Sequence, residues 1–252
     1  MSGEAAGERA PVAQPAPNVV YVAKEAWAAA ASVMIQDAVE SFLDEQGSCR
    51  VMLTGGRGAE KLYGEWARDS RFGTAGGVTF FFGDERCVST DDEQSNYGMA
   101  MRTLFRSGVP EGCSVLRMEA DASDREAAAM RYEELLPERI DVLLLGVGED
   151  GHVASLFPGA PALHEALRLV LPVSGPKAPH DRLTVTPQVI AKARSVFVLA
   201  TGELKARVLA QALEAPLDVD TLPARLVLNG NWLLDSPLPG ADKSMKRQDE
   251  TL

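Results

Sequence analysis

Short apolar runs alternate along this chain with longer segments in which apolar residues recur at helical spacing. The apolar runs predict strands at residues 19–22, 51–53, 78–82, 140–145 and 195–199. The helical segments predict helices at residues 24–45, 59–68, 96–105, 121–136 and 204–213. Strand and helix therefore follow one another along most of the chain.

Residues that prefer helix ends support these boundaries. Gly47 stands where a C-cap glycine ends the first helix, and Ser95 is placed to cap the third. The helix at 121–136 is predicted to begin at Ser123 or Asp124 and to stop before Pro137. Helix is therefore the preferred prediction for the longer segments.

The rhythm of strands and helices predicts an α/β fold, with a mostly parallel, doubly wound sheet flanked by helices. The unbroken apolar runs at 140–145 and 195–199 are typical of strands buried on both faces. No repeat or linker divides residues 18–240, so we predict a single α/β domain there. Residues 1–17 are rich in Ala, Pro, Gly and Glu and are predicted to be disordered, and the polar residues 241–252 are predicted to form a loose tail.

Polar clusters follow several of the predicted strands. They are Thr54-Gly55-Gly56, Gly83-Asp84-Glu85-Arg86, residues 146–152 and residues 201–205. In open α/β sheets, ligands bind outside the carboxyl ends of the strands. We therefore expect the four clusters to meet at one edge of the sheet and to form a site.

Composition and charge narrow the class of partner and the compartment. The net charge of −11 and the pI of about 4.8 argue against nucleic acid and against an anionic membrane surface as partners. The 3 cysteines contain no C-x-x-C pair and the 3 histidines are scattered, so no disulfide framework, metal site or cofactor is predicted. No apolar run approaches the ~20 residues that span a bilayer, and the first residues lack the pattern of a signal peptide. These observations predict a cytoplasmic protein.

The segment at 146–159, which reads GVGEDGHVASLFPG, carries the most specific chemistry. Its glycines allow a sharp turn and a close approach to a ligand. Asp150 and His152 present a carboxylate and an imidazole where the strand ends, and imidazole suits proton transfer near neutral pH. The segment superficially matches a G-x-G-x-x-G dinucleotide fingerprint, but Pro158 soon interrupts the helix that this motif should open. We therefore reject dinucleotide binding.

Together with Asp84-Glu85-Arg86-Cys87-Val88 and Ser95-Asn96, this segment resembles the 6-phosphogluconolactonase family. The matching stretches run in order from Leu53 to about Asp235, which is most of the chain. The resemblance implies the fold of the sugar-phosphate isomerases and deaminases. It also implies hydrolysis of 6-phospho-D-glucono-1,5-lactone to 6-phospho-D-gluconate in the oxidative pentose phosphate pathway.

Two alternative functions are weighed against this resemblance. A glucosamine-6-phosphate deaminase or isomerase would share the Asp-Gly-His element, but the continuation ASLFPG at 154–159 favours the lactonases. A sugar-phosphate sensor without activity is typically fused to a DNA-binding module. No helix-turn-helix pattern precedes residue 18, and the acidic charge also argues against that class.

The resemblance assigns roles to charged residues outside the loop. Arg86, Arg182 and Lys205 match positions that bind the phosphate or the substrate, and a guanidinium fork suits phosphate oxygens. Asp84 occupies the position of an acid that moves a proton in the related deaminases, and we place it among the substrate-binding residues. Glu85 is expected to do no more than orient Arg86.

The glycine turn after the second strand is a further predicted binding element. Gly55 and Gly56 precede a helix, and the backbone N–H groups at a helix N-terminus bind anions. The sequence departs from the family here. Arg57-Gly58-Ala59 stands where the family has a small hydroxyl residue, Thr and Pro, so a hydroxyl contact is replaced by an extra cation near the turn.

These residues suggest a mechanism without a covalent intermediate. His152 takes a proton from water, which attacks the lactone carbonyl, while backbone N–H groups of the glycine loops meet the oxyanion. Asp150 either orients His152 or contacts the sugar. His164 and His180 are predicted to lie on the surface. The predicted partner is a sugar phosphate lactone, and the resemblance allows a functional association with glucose-6-phosphate dehydrogenase.

Overall fold

A computed structural model describes residues 16–214 and 218–240. The strands are β1 (Asn18–Tyr21), β2 (Cys49–Leu53), β3 (Val78–Phe82), β4 (Asp84–Arg86), β5 (Ser114–Val115), β6 (Val142–Gly146), β7 (Val170–Ser174), β8 (Asp181–Val185), β9 (Ser195–Ala200) and β10 (Asn231–Leu234). The α-helices are α1 (Trp27–Gln46), α2 (Arg57–Trp66), α3 (Ser70–Thr74), α4 (Asn96–Thr103), α5 (Arg125–Leu135), α6 (Pro187–Lys192) and α7 (Glu203–Leu213). Short 3₁₀ helices occupy Pro161–His164 and Pro223–Val227. The predicted tails at 1–17 and 241–252 lie outside the described residues, apart from positions 16 and 17.

The central sheet has seven strands in the order β1-β10-β9-β6-β2-β3-β5, and every neighbouring pair is parallel. From β2 the chain proceeds outward through β3 to β5. It then returns to β6 on the other side of β2 and proceeds outward through β9 to β10. The predicted α/β class with a doubly wound, mostly parallel sheet is confirmed. The reversal places the ends of β2 and β6 side by side, which is where such sheets bind ligands.

A second, smaller sheet joins β4, β8 and β7 in antiparallel order. The sequence does not predict this sheet, because β4 consists of the charged residues Asp84, Glu85 and Arg86, and three consecutive charges favour a polar cluster after β3 over a strand. Asp84 lies opposite Thr184, and Arg86 lies opposite Arg182. Side chains two positions apart share one face of a strand, so these four side chains belong to one face of the small sheet.

The predicted elements of the central sheet are found, with boundaries shifted by a few residues. Gly47 has the left-handed C-cap conformation (φ 70°) and donates to Leu43 O, as predicted. Ser95 caps α4 by accepting from the Gly98 N–H at 3.0 Å. Of the two candidates at the next helix, Asp124 is the cap, since it accepts from the Ala127 N–H at 2.9 Å. Consequently α5 begins four residues later than the predicted 121.

Both faces of the central sheet are covered by apolar side chains. Along β6, Leu143 packs in one hydrophobic cluster and Leu144 in the other, and each is 0% exposed. Trp232 is also fully buried and donates from its indole to Val227 O, which confirms that core packing accounts for it. Within the described residues, no helix combines the length and the apolar character that crossing a bilayer requires.

Candidate active site

The loop after β6 presents Asp150 and His152 on a tight turn. The Gly151 N–H donates to Gly148 O at 3.0 Å, and the Gly148 N–H donates to His152 O at 2.8 Å. Gly151 has φ +82°, a conformation that side-chain-bearing residues rarely adopt. A Cβ on Gly148 would overlap the imidazole of His152, so this position needs glycine for a different reason. The glycines of the loop therefore set where the two polar side chains lie.

His152 and Asp150 form a close pair. Nδ1 of His152 lies 2.5 Å from Oδ1 of Asp150, and the side chains are 27% and 40% exposed. The hydrogen bond with His152 is the main cause that lowers the pKa of Asp150 to about 2. The imidazole also packs on Phe157, with 4.7 Å between the ring centroids. Because Nδ1 faces the carboxylate, Nε2 is the ring nitrogen available for proton transfer.

Arg182 lies next to this pair, on β8 of the small sheet. Its guanidinium lies over the Phe157 ring at 5.6 Å, and Nη1 is 4.0 Å from Oδ2 of Asp84. Burial is the main cause that lowers the pKa of Arg182. The charge of Asp84 opposes this shift, and the smaller effect of the neighbouring Arg86 adds to it. Two arginines on one face of a sheet repel each other. A bound anion would relieve that repulsion.

Arg86 retains a free donor. Its Nη1 donates to Gln94 O at 2.7 Å, whereas Nε is buried and has no hydrogen-bond partner within the described part of the chain. Glu85 does not orient the Arg86 side chain, contrary to expectation. Its carboxylate accepts from the backbone N–H groups of Arg86, Asn96 and Tyr97 and so caps α4. The strand alternation explains this, since Glu85 points away from the face that carries Arg86.

Asp84 is almost fully buried, with 5% of its surface exposed. Its Oδ2 accepts from the Ser155 hydroxyl at 2.6 Å, and its Oδ1 accepts from the Asn96 side-chain amide at 3.0 Å. Both carboxylate oxygens are therefore engaged with the protein. This arrangement makes Asp84 a member of the framework of the site.

The turn after β2 packs directly against the start of residues 146–159, which we call the catalytic loop because they carry His152, the candidate base. Thr54 Oγ1 accepts from the Gly146 N–H at 3.2 Å. A Cβ on Gly55 would overlap the side chain of Asn96, so the turn and α4 approach as closely as glycine permits. Gly56 is the N-cap of α2, with φ 94° and no side-chain cap. The predicted glycine turn is thus present at the site edge.

Lys205 lies in the first turn of α7, the helix that follows β9. It is half-buried, and burial is the main cause that lowers its pKa. The charge of Arg57 acts in the same direction, while Glu149 and Asp235 oppose it. Gly202 is the N-cap of α7 at φ 92°, and its N–H donates to Oδ1 of Asp235 at 2.5 Å. Asp235, to which the sequence assigns no chemistry, therefore fixes the turn that carries Lys205.

The four polar clusters meet at one edge, as the sequence predicts. Asn96 joins Gly55 to Asp84, Thr54 joins the catalytic loop, and a Cβ on Gly58 would approach Thr201 Oγ1 to 3.3 Å. The cations form two groups: Arg86 and Arg182 on the small sheet, and Lys205 with Arg57 at the helix starts.

Some residues of the site are not predicted from the sequence, and the other two histidines of the chain lie outside the site. His164 and His180 are exposed, as expected, and His164 pairs with Asp220. Sequence analysis assigns no role to Phe157, Ser155 and Thr184. Phe157 and Ser155 lie within the segment at 146–159 that carries the resemblance, and this was the sequence signal for them. The position of Thr184 opposite Asp84 is shown only by the pairing of β4 with β8.

Comparison with known proteins identifies the family of this chain. A sequence model of the family described as glucosamine-6-phosphate isomerases/6-phosphogluconolactonase matches residues 22–234. The chain is 37% identical over 240 residues to a 6-phosphogluconolactonase of Streptomyces coelicolor, with coverage of 86% of this chain and 91% of the relative. It is 36% identical over 247 residues to the 6-phosphogluconolactonase of Rattus norvegicus, with coverage of 89% and 93%.

A solved structure supports the same grouping. The 6-phosphogluconolactonase of Trypanosoma brucei superposes with a TM-score of 0.75 at 30% identity, covering 88% of this chain and 97% of that chain. The resemblance inferred from residues 146–159 is thereby confirmed. The chain belongs to the family of glucosamine-6-phosphate isomerases and 6-phosphogluconolactonases, with the lactonases among its members.

Proposed function

We propose that this chain hydrolyses 6-phospho-D-glucono-1,5-lactone to 6-phospho-D-gluconate, with His152 as the base that activates water. The observation that carries the proposal is the His152–Asp150 pair at the end of β6, with 2.5 Å between Nδ1 and Oδ1. The pair lies where the strand order reverses, next to arginine and lysine side chains suited to a phosphorylated substrate.

Asp150 is assigned the role of orienting His152. A carboxylate with a pKa of about 2 is ionised at neutral pH and accepts a hydrogen bond, so Nδ1 of His152 carries the proton. In the neutral form of the ring Nε2 then carries no proton and can accept one from water. This geometry favours the first of the two roles left open for Asp150, because its carboxylate already faces the imidazole.

The reaction balances with one base and one water molecule. Nε2 takes a proton as the water oxygen bonds to C1, and the carbonyl oxygen becomes an oxyanion. When the C1–O5 bond breaks, the imidazolium returns the proton to O5. The product acid then ionises and releases a proton to solvent. No covalent enzyme intermediate is required, since a lactone is an activated ester.

Backbone N–H groups of the turn after β2 are the proposed oxyanion donors. The N–H groups of Gly146 and Gly148 already donate to Thr54 Oγ1 and His152 O. The donors are therefore assigned to Gly55 and Gly56, which precede α2 and complete the glycine loops of the site. Preorganised N–H donors need no rearrangement as the charge develops.

Arg86, Arg182 and Lys205 are the proposed phosphate and substrate ligands. Among the residues that the structure describes, the buried Nε of Arg86 has no hydrogen-bond partner, which favours a bound anion, and so does the repulsion between Arg86 and Arg182. Lys205 is half-buried beside another cation, which likewise favours an anion. Binding energy from the phosphate fixes the distance between C1 and His152, which accelerates attack.

The test is proton release after addition of freshly generated 6-phosphogluconolactone, corrected for spontaneous hydrolysis. We expect a rate that is proportional to enzyme concentration and much lower with unphosphorylated gluconolactone. Removing Arg86 or Lys205 as alanine variants should raise KM for the phosphorylated lactone more than for the unphosphorylated one. Ammonia release from glucosamine 6-phosphate without lactone turnover would support the deaminase alternative.

The cytoplasmic location and the functional association with glucose-6-phosphate dehydrogenase stay predictions. Cys49, Cys87 and Cys113 are free thiols in the structure, which is compatible with a reducing compartment. Fractionation of cells that produce the chain would test the location. Co-purification with the dehydrogenase would test the association.

A further inference from the structure

Ala154, two residues after His152, has an unusual backbone conformation. Its φ is +50°, in the left-handed region that residues with a Cβ rarely adopt. Such a conformation persists only where the surrounding structure enforces it, and it is common near active sites. The next residue along the chain, Ser155, is held by several contacts.

Ser155 is completely buried and is held through two polar groups. Its backbone N–H donates to Thr184 Oγ1 at 3.1 Å, and its hydroxyl donates to Asp84 Oδ2 at 2.6 Å. Asp84 and Thr184 are opposite partners in the β4–β8 pairing. One pair of facing positions on the small sheet therefore fixes both the main chain and the side chain of Ser155.

The carboxylate that holds Ser155 is itself anchored. The Asn96 side-chain amide donates to Oδ1 of Asp84 at 3.0 Å and to its main-chain oxygen at 2.9 Å. Asn96 is the first residue of α4 and packs closely against Gly55. The network thus connects the catalytic loop to α4 and to the glycine turn after β2.

We propose that Ser155, gripped by Asp84 and Thr184, is a positioning residue that locks Ala154 in its left-handed conformation and thereby sets the place of His152. The proposal rests on the proposed role of His152 as the base. A buried loop position that served packing alone would be satisfied by alanine. The Ser155 hydroxyl donates to the buried carboxylate of Asp84, and the residue before it, Ala154, has a strained backbone. Both observations are expected of a contact that constrains the loop. Asp84 acts through Ser155 and does not need to touch the substrate.

The first test compares Ser155→Ala with the double variant Ser155→Ala/Ala154→Gly. Without the hydroxyl, Ala154 can relax to an ordinary conformation and move His152, so kcat should fall about tenfold or more while KM changes little. Glycine adopts φ +50° without strain, so kcat of the double variant should be at least about threefold higher than kcat of Ser155→Ala. A Ser155→Ala enzyme with wild-type kcat, or a double variant without recovery, would overturn the proposal.

The second test observes His152 directly and does not depend on turnover. The chain has 3 histidines, so their ring signals in an NMR spectrum are easily resolved and assigned with single variants. Ser155→Ala should shift the ring signals of His152 and leave those of His164 and His180 in place. If all three stay unchanged, the proposal is overturned even where activity is lost.

Matched variants separate positioning from loss of stability. Thr184→Val removes the acceptor for the Ser155 N–H, and Thr184→Ser retains it, so kcat should fall in the first and be largely retained in the second. Ser32→Ala removes another buried hydroxyl, which donates to Ala29 O in α1, and should lower the Tm without lowering kcat. Equal kcat losses in Ser32→Ala and Ser155→Ala would overturn the proposal. A wild-type enzyme without lactonase activity would instead refute the proposed function.

Discussion

At the scale of single residues, the environment of each charged group decides its role. Asp84, Asp150 and Glu85 are all carboxylates near the site, yet each has a different set of partners. Asp150 faces an imidazole, Glu85 caps a helix, and Asp84 holds Ser155. The sequence places all three near the site. It cannot assign their partners, because the partners come from elements that are distant along the chain.

Asp150→Asn tests the orienting role of this carboxylate. The amide cannot hold the imidazole in the required tautomer as an ionised carboxylate does, so kcat should fall by about 10² or more. Steady-state kinetics with the phosphorylated lactone measures the loss. Asp220→Asn is the matched control, since Asp220 pairs with the exposed His164 at 2.7 Å. Equal effects of the two changes would contradict the role of Asp150.

Arg57→Ala tests whether the charge of Arg57 lowers the pKa of Lys205. In the proposed function Lys205 binds phosphate while protonated, so binding should be present at low pH and should be lost as pH rises through the pKa of Lys205. Burial and then Arg57 lower that pKa from its ordinary value of 10.5. Removing Arg57 should raise it, and the alkaline loss of kcat/KM should move to higher pH.

The control for this pH shift is Arg207→Ala. It removes the same charge from an exposed position of the same helix as Lys205. The alkaline limb should stay in place for this variant. An identical shift in both variants would mean that net charge, and not the neighbourhood of Lys205, sets the limb.

At the scale of elements, the sequence predicts five of the seven strands of the central sheet and misses β5, β10 and the whole small sheet. Apolar runs such as Val78–Phe82 are unambiguous strands, whereas β4 contains three charged residues whose strand conformation depends on pairing with β8. Propensity cannot reveal a strand that is stabilised by tertiary contacts. The same limit hid Thr184, and with it the second anchor of the catalytic loop.

Gly148→Ala tests whether kcat depends on the shape of the turn that carries Asp150 and His152. The new Cβ would overlap His152 and lie 2.5 Å from Oδ1 of Asp150, so the pair must separate. We expect kcat to fall by about 10² because misplacement of a catalytic group is costly. Gly64→Ala is the control, because nothing lies within 4 Å of its added Cβ inside α2. That change should stabilise the protein by roughly 0.5–1 kcal/mol without altering kcat.

At the scale of the whole molecule, the reversal of strand order gathers the site from distant segments. The ends of β2 and β6 become neighbours, although their residues are far apart in sequence. The strand–helix rhythm predicted that the polar clusters would meet at one edge of the sheet, because that depends only on parallel strands. It did not predict the strand order that makes β2 and β6 neighbours. What the rhythm could not predict is the division of the cations into two groups, one on the small sheet and one at the helix starts.

Leu143→Ala and Leu144→Ala test the two-sided burial of the central sheet. Each side chain is 0% exposed, and the two belong to hydrophobic clusters on opposite faces. Each change should lower the free energy of unfolding by about 2–5 kcal/mol, as measured by chemical denaturation. Leu213 is 46% exposed, so Leu213→Ala should lower the free energy of unfolding by roughly 0.5 kcal/mol or less. A small effect at either buried position would contradict two-sided burial.

The central claim is that His152 is the base of a lactone hydrolase, and the most direct measurement is kcat for 6-phosphogluconolactone in His152→Ala. After correction for spontaneous hydrolysis, kcat should fall by a factor of about 10²–10⁴, and the Tm should not change. His164→Ala, at an exposed histidine that also pairs with an aspartate, should retain wild-type kcat. A folded His152→Ala enzyme with near-wild-type kcat would contradict the account.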